Sequence, residues 1–183
     1  MFAVGHVLFM VLPPLLAFGH WRWRGQGRDR AGVVELFLLS FIVIGVGCQG
    51  ILVGLNQIFN PAEVADYVGW PESPFISELG YMNLIFGLLA VGCIWVRGSW
   101  WLATGLGYSA FLLLAAFGHI RDVIEEGNFS IGNVGPTLWA DIVIPVAILA
   151  LFYYQHHLSR AGALHAEQPP ATAGLAAQVA KPG

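Results

Sequence analysis

Five apolar segments run along the chain, and polar residues are concentrated in the stretches between them. The segments cover about residues 2–18, 31–56, 79–96, 100–119 and 136–154. Helices of this length, which rise about 1.5 Å per residue, match a hydrocarbon core about 30 Å thick. We therefore predict an all-α integral membrane protein, a bundle of about five transmembrane helices within residues 1–160.

The longest connection, from Gln57 to Glu78 between the second and third segments, contains residues that favour local structure. Pro61 suits the first turn of a short helix over residues 62–68, and two later X-Pro pairs favour extended or turn conformations. We interpret this structured loop as a lid over one end of the bundle.

Composition and charge support a membrane protein and indicate its orientation. Charged residues make up only 10% of the chain, against about 25% in soluble domains. The net charge of −3 gives no indication of nucleic-acid binding. Of the 8 Lys and Arg residues, all but Arg121 fall in the first loop, the third loop and the tail. This bias predicts an outer N-terminus and a cytoplasmic C-terminus.

The Lys-poor, Ala- and Arg-rich composition is typical of bacteria, so we expect a multi-pass protein of the bacterial cytoplasmic (inner) membrane. Residues 161–183, rich in Ala, Gly, Pro and Gln, are expected to form a disordered cytoplasmic tail. Basic residues follow the first apolar segment rather than precede it, which favours a retained first helix. A cleaved or interfacial first segment remains the alternative.

Polar residues within the predicted helices lie mostly toward the outer helix ends. A charged group at the bilayer centre costs about 2.5 to 3.5 kcal/mol on insertion scales, so such groups need partners or a function. These residues are His6, Gln49, Asn56, Glu78, Asn83, His119, Asp122 and Asp141. One interpretation is a hydrogen-bonded network that holds the helices in register. The other is an outward-facing cavity that binds a ligand or moves a proton.

In the cavity interpretation, the residue types indicate distinct roles. His119 is the candidate general acid/base, held in one tautomer by Asp122 three residues later. Glu78 and Asp141 would bind or relay protons, and Pro145 leaves the Asp141 carbonyl without its helical donor. Further candidate ligand contacts are His6, Gln49, Trp70, Phe75, Asn83 and Trp139.

A metal site is the third interpretation of these polar residues. His6, Glu78, His119 and Asp122 include the ligand types that zinc and iron prefer. However, no helix carries an HxxxH or ExxH pair. We therefore predict no metal site, and the cofactor, if any, stays unknown.

Small residues in the predicted helices indicate close packing. Gly50 and Gly54 form a GxxxG step on the second helix. Gly87 and Gly105 would allow similar backbone approach on the third and fourth.

One pattern extends over the last three helices and both outer loops, slightly under half of the chain. It consists of Gly69-Trp70, Ser73-Pro74-Phe75, Glu78, Gly80, Asn83-Leu84, Gly118-His119-Ile120, Gly132-Asn133, Gly135-Pro136, Asp141-Ile142 and Pro145. This pattern resembles a family of small bacterial membrane proteins catalogued as a domain of unknown function. The resemblance implies that the lid loop, Glu78, Asn83, His119, Asn133 and Asp141 belong to the family's typical pattern. It adds Asn133 to the candidate ligand contacts and implies no activity.

Two functions fit these observations. The first is binding of a small apolar or amphipathic molecule, such as a lipid, quinone or isoprenoid, with enzymatic activity left open. The alternative is a non-catalytic accessory subunit of a larger membrane complex. A proton-coupled transporter is disfavoured, because the polar residues stop about halfway across the bilayer. The expected partners are membrane lipid and other membrane subunits or a second copy of the chain, with no nucleic acid.

Overall fold

A computed structural model describes residues 2–24, 27 and 29–167, and within this part of the chain all regular structure is helical. The α-helices are Phe2–Arg24 (α1), Arg30–Ser40 (α2), Gln49–Phe59 (α3), Pro61–Val68 (α4), Pro74–Gly92 (α5), Ser99–Glu126 (α6), Ile131–Val134 (α7) and Pro136–Glu167 (α8). A π-helical segment, Phe41–Cys48, joins α2 to α3, so the second span is one continuous helical stretch. The predicted disordered tail overlaps α8 as far as Glu167, and residues 168–183 lie outside the described part.

Five helical stretches in the described part are long and apolar enough to cross a membrane, which confirms the prediction of five candidate transmembrane helices. They are Val4–Arg24, Arg30–Phe59, Pro74–Gly92, Ser99–Glu126 and Ile131–Ala161. Large apolar side chains on their outward faces, such as Leu16, Leu88 and Leu114, are exposed. Such a surface suits lipid rather than water, and the five stretches suggest a membrane protein.

Helix α5 begins at Pro74, five residues before the predicted start of the third span. Proline is favoured there because the first helical residue needs no N–H donor. The helix also ends before the predicted boundary at residue 96. The indole N–H groups of Trp100 and Trp101 donate to the carbonyl oxygens of Leu89 (3.0 Å) and Cys93 (2.7 Å). These two side chains therefore supply hydrogen-bond donors to carbonyl groups at the end of the helix.

Helices α6 and α8 extend beyond the predicted apolar stretches, to residues 126 and 167. Hydrophobicity marks only the part of a helix that lies in hydrocarbon, and polar residues can continue the same helix outside it. In the added turns of α6, Arg121 Nε lies 3.1 Å from Glu125 Oε2 in an i,i+4 ion pair, a spacing that supports an exposed helix.

Helices α3 and α5 approach each other closely along a seam of glycines. A Cβ atom placed at Gly54 would lie 2.7 Å from the Gly80 carbonyl oxygen, and one at Gly50 would lie 2.7 Å from the Asn83 carbonyl oxygen. Gly87 is confined in the same way by the Ile51 backbone, at 2.7 Å. Backbones this close admit only glycine, so the expected close packing at Gly50, Gly54 and Gly87 is confirmed.

Helices α6 and α8 form a second close pair, with Gly105 against the Phe152 ring. Helix α1 packs on α2, the π-helical segment and α8, and Ser40 Oγ donates to the Pro13 carbonyl oxygen (2.7 Å). By contrast, α1 meets α3 in few places, and α5 meets α6 sparsely. The buried core includes Leu38, Ile42, Val46, Tyr108, Ile144 and Ile148. Space therefore remains between the two close pairs.

Helices α4 and α7 cover one end of the bundle, which we call the capped end. Helix α4 is the short helix predicted from Pro61, and Gly69 ends it with a φ of 80°, a left-handed conformation that glycine adopts without strain. Asn128 links the two helices: its Nδ2 donates to the Val68 carbonyl oxygen (2.9 Å), and its Oδ1 accepts from Ser130 N (3.0 Å).

Candidate functional site

A cavity of about 480 Å³ lies between the α3–α5 pair and the α6–α8 pair, next to α4 at the capped end. Its polar wall residues come from five helices and one loop: His6, Gln49, Gln57, Trp70, Asn83, Tyr108, His119, Arg121, Asp122, Thr137 and Asp141. Its apolar wall residues include Val53, Val64, Val68, Phe75, Ile76 and Phe111. Apolar walls with a few convergent polar groups are typical of small-molecule sites.

Asn133 fixes the orientation and the tautomer of His119. Asn133 Nδ2 donates to the backbone carbonyl oxygens of Asn128 (2.8 Å) and His119 (3.3 Å), so Asn133 Oδ1 faces the imidazole. This oxygen lies 2.6 Å from His119 Nδ1 and can only accept, which assigns the proton to Nδ1. Both side chains are buried, and the Nε2 atom of the imidazole remains for another partner.

That partner is Asp141 on α8. His119 Nε2 lies 3.7 Å from Asp141 Oδ2, beyond the length of a direct hydrogen bond, and both side chains line the cavity. Pro145, four residues later, has no N–H for the Asp141 carbonyl. The pair can therefore share a proton or engage a third group that lies against both side chains.

Trp70 covers the imidazole, and Asp122 positions Trp70. The Trp70 and His119 rings are stacked, with centroids 5.6 Å apart and planes 15° apart. The Trp70 indole N–H donates to Asp122 Oδ2 (3.0 Å), and Asn128 Nδ2 donates to the same oxygen (2.6 Å). The structure does not give Asp122 the predicted task of holding the His119 tautomer, because its carboxylate faces the indole and Asn133 takes that role.

A second buried network lines the cavity on the side of α3 and α5. Asn83 Nδ2 donates to Gln57 Oε1 (2.9 Å), and the Tyr108 hydroxyl donates to Asn83 Oδ1 (2.9 Å). The Tyr108 ring packs against Phe86 and Phe111, with centroids 5.4 and 5.6 Å away. These contacts satisfy the polar groups of the network, which matches the interpretation of polar residues that hold helices in register.

Two other polar groups of the cavity wall are not satisfied. Gln49 is only 3% exposed, and its Oε1 has no hydrogen-bond donor among the described residues. The Thr137 hydroxyl oxygen is also buried, and no other part of the described chain hydrogen-bonds to it. Such orphaned groups are uncommon in folded proteins and call for an explanation. A polar ligand that these side chains could turn to meet would supply one.

Most of the predicted site residues converge. His6, Gln49, Trp70, Phe75, Asn83, His119, Asp122 and Asp141 all line the cavity. Asn133 lies behind His119 and bonds to it. The expectation that polar residues from different helices share one depth therefore matches the geometry.

Glu78 and Trp139 do not join this cluster. Glu78 is exposed, and the helical phase explains why: five residues from Asn83 correspond to about 140° around the helix. Trp139 is 58% exposed and lies two residues from Asp141, about 160° away around α8 at 3.6 residues per turn. Neither residue is part of the cavity wall.

The alternative metal ligand set is likewise not assembled. Glu78, one of its four members, points away from the cavity that the other three line. Within the described residues, no group of three or more His, Cys, Asp and Glu side chains is placed to hold a metal ion.

Several polar residues at or beside the cavity were not among the predicted site residues, including Gln57, Tyr108 and Asn128. Gln57 lies eight residues after Gln49, and both line the cavity. Tyr108 carries its hydroxyl deep within an apolar helix, and a buried hydroxyl needs a partner. Asn128 precedes Phe129 and Ser130 in a loop, a position typical of side-chain-capped turns. The spacing of Gln57 was the available signal, whereas the bonding partners of Tyr108 and Asn128 depend on the tertiary structure.

Comparisons with known proteins identify a family but no activity. The model of a family of unknown function (DUF6790) matches residues 4–161. Comparison of the chain with curated proteins and with solved structures gives no significant match.

Proposed function

The chain belongs to the DUF6790 family, whose function is unknown, and from the geometry of its cavity we propose that it binds a small amphipathic molecule at the His119–Asp141 pair. The observation that carries the proposal is this pair itself. Two chemically active side chains face a cavity of about 480 Å³, 3.7 Å apart and without a direct hydrogen bond. Ligand pockets in proteins commonly enclose roughly 300 to 1,000 Å³.

The surroundings of His119 prepare it to exchange a proton with such a ligand. Asn133 holds the Nδ1–H, so Nε2 is free to accept a hydrogen bond or a proton. Trp70 shields the ring on one face, and Asp141 lies on the Nε2 side, where it would stabilise a protonated imidazole. This arrangement supports binding with acid/base capacity, and the proposal does not require a chemical reaction.

We further propose that the capped end faces the outside of a bacterial inner membrane and that the C-terminus is cytoplasmic. The basic residues of the opposite end support this orientation. There, Arg97 forms an ion pair with Glu35, and its guanidinium lies 5.1 Å from the centre of the Trp101 ring. Basic residues and interfacial Trp are both typical of a cytoplasmic membrane boundary.

Binding can be tested with the purified protein in phosphatidylcholine nanodiscs and a panel of four probes: a prenyl alcohol, a short-chain quinol, a fatty acid and a lysophospholipid. A ligand that binds only the folded state at a hundred times its Kd stabilises it by about 2.7 kcal/mol. We expect at least one probe to raise the unfolding temperature of the wild type and to lose this effect in Asp141→Asn.

Asp66→Asn is the matched control, because Asp66 is an exposed carboxylate on α4 at the same end of the bundle. It should respond to the probe as the wild type does. The proposal fails if no probe stabilises the wild type, or if Asp141→Asn is stabilised as much as Asp66→Asn. A stoichiometric protein partner that remains bound through mild-detergent purification would instead favour the accessory-subunit alternative.

A further inference from the structure

A second space, a groove of about 450 Å³, lies between α1, α3 and α4 and borders the cavity. The two share six wall residues: His6, Val53, Gln57, Val64, Val68 and Thr137. At its outer side the groove is lined by Leu52, Leu55 and Phe59, which are 57%, 37% and 75% exposed. These side chains belong to a candidate transmembrane stretch, so the groove opens sideways, toward the hydrocarbon region of the membrane.

The sideways opening exists because α1 packs elsewhere. At residues 13 and 17, α1 is held against the core, and Ser40 bonds to the Pro13 carbonyl oxygen. Nearer its N-terminus, α1 meets α3 in only a few places, and Gly5 presents no side chain to the groove that it lines. A flexible apolar chain could therefore lie between these two helices while its head occupies the cavity.

The cavity wall indicates the chemistry of that head. His119 Nε2 and the Asp141 carboxylate offer acceptor atoms within 3.7 Å of each other. The Gln49 side chain adds an unused acceptor. The only Arg or Lys side chain in the described part of the wall, Arg121, is mostly exposed and pairs with Glu125 at 3.1 Å. When the pair holds one shared proton, a hydroxyl can accept from the protonated member and donate to the other, whereas an anionic head would lie against the Asp141 carboxylate.

We propose that the site takes a single-chain lipid with a hydroxyl head, which enters sideways from the membrane between α1 and α3. The hydroxyl lies at His119 and Asp141, and the chain lies in the groove past Gly5 and Phe9. This inference rests on the proposed function and adds the ligand class and the entry route.

Photolabelling in phosphatidylcholine nanodiscs tests both parts. Two long-chain alcohols carry a diazirine, one beside the hydroxyl carbon (the head probe) and one at the chain end (the tail probe). We expect the head probe to label the cavity wall on α6 and α8, and the tail probe to label α1 and α3 around residues 5–9 and 52–59. The carboxylic acid analogue of the head probe should label neither site above the level seen with excess unlabelled alcohol.

Gly5→Phe and Gly19→Phe are matched variants of α1, because a Cβ atom at either glycine meets no atom within 4 Å. Only Gly5→Phe places its new side chain in the groove, since Gly5 lines it and Gly19 does not. We expect Gly5→Phe to lose the tail label on α3, while Gly19→Phe keeps it.

Each contrary result has a distinct meaning. A tail label that persists in Gly5→Phe, or that falls on other helices, overturns the sideways route and leaves the cavity proposal intact. Stronger cavity labelling by the acid than by the alcohol overturns the hydroxyl head. No specific cavity label from either head probe overturns the lipid proposal. If in addition none of the four binding probes stabilises the wild type, the proposed function fails as well.

Discussion

Two buried glutamines on α3 should respond in opposite ways to the same substitution. Gln49 and Gln57 are 3% and 8% exposed, and both line the cavity. Gln57 Oε1 accepts a hydrogen bond from Asn83 Nδ2 (2.9 Å), whereas Gln49 Oε1 has no donor among the described residues. Methionine has a similar length and carries no amide, so it removes the polar group and largely keeps the volume.

The structure sets the sign and size of each effect. An unsatisfied buried polar group costs about 1 to 3 kcal/mol. Gln49→Met removes such a group, so we expect the free energy of unfolding to rise by about 1 to 2 kcal/mol. Gln57→Met leaves Asn83 Nδ2 with only the longer bond to the Leu79 carbonyl (3.3 Å). We expect the free energy of unfolding to fall by about 1 to 3 kcal/mol.

The assay is reversible unfolding in mixed detergent micelles with increasing SDS, followed by tryptophan fluorescence without added ligand. The proposed function adds a second readout, because Gln49→Met should weaken probe binding while it stabilises the protein, a trade-off expected at functional sites. Equal destabilisation by the two substitutions would mean that Gln49 is a satisfied structural residue. The reasoning from its orphaned oxygen would then be wrong.

Three further predictions concern the glycine seam between α3 and α5, the hydrogen bonds by which Asn133 holds His119, and the orientation of the protein in the membrane. Gly54→Ala should lower the free energy of unfolding by about 1 to 3 kcal/mol in the same SDS titration, since the new methyl meets backbone on α5. Gly19→Ala is the control and should leave the free energy of unfolding unchanged, because the space around Gly19 is open. Asn133→Ala should lower the free energy of unfolding by at least about 2 kcal/mol, because it removes three hydrogen bonds of a buried side chain; thermal unfolding checks this, and an unchanged melting temperature would contradict it. In a cysteine-free background, Glu72→Cys should react with an impermeant maleimide on intact cells and Ser99→Cys should not; the reverse labelling would overturn the orientation.

The number of candidate transmembrane helices could be read from the sequence because bilayer thickness constrains the length of apolar runs. The short helix α4 could be read from Pro61, and close packing of the second span from the GxxxG step at Gly50 and Gly54, although the sequence did not identify α5 as its partner. The ends of the helices were harder to predict from the sequence. At the end of α5, for example, the Trp100 and Trp101 indoles supply the donors, and hydrophobicity carries no signal for such a contact.

The sequence predicted which residues lie near one another at the candidate site, but not which side chains contact each other. Polar side chains at one depth indicated that His119 and Asp141 belong together, but depth does not show which way a helix is rotated. The phase of α5 relative to Asn83 could have excluded Glu78, since a helix turns about 100° per residue. The role of Asn133 could not be derived from spacing, because the four-residue helix α7 and the Asn128 turn bring it to the imidazole.

The most direct test is an experimental structure of the protein in nanodiscs with a long-chain alcohol bound. The account predicts density for the hydroxyl within hydrogen-bond distance of both His119 Nε2 and the Asp141 carboxylate, with the chain running between α1 and α3. A cavity without the alcohol, in which His119 and Asp141 close into a direct hydrogen bond, would contradict the proposal and leave a structural network.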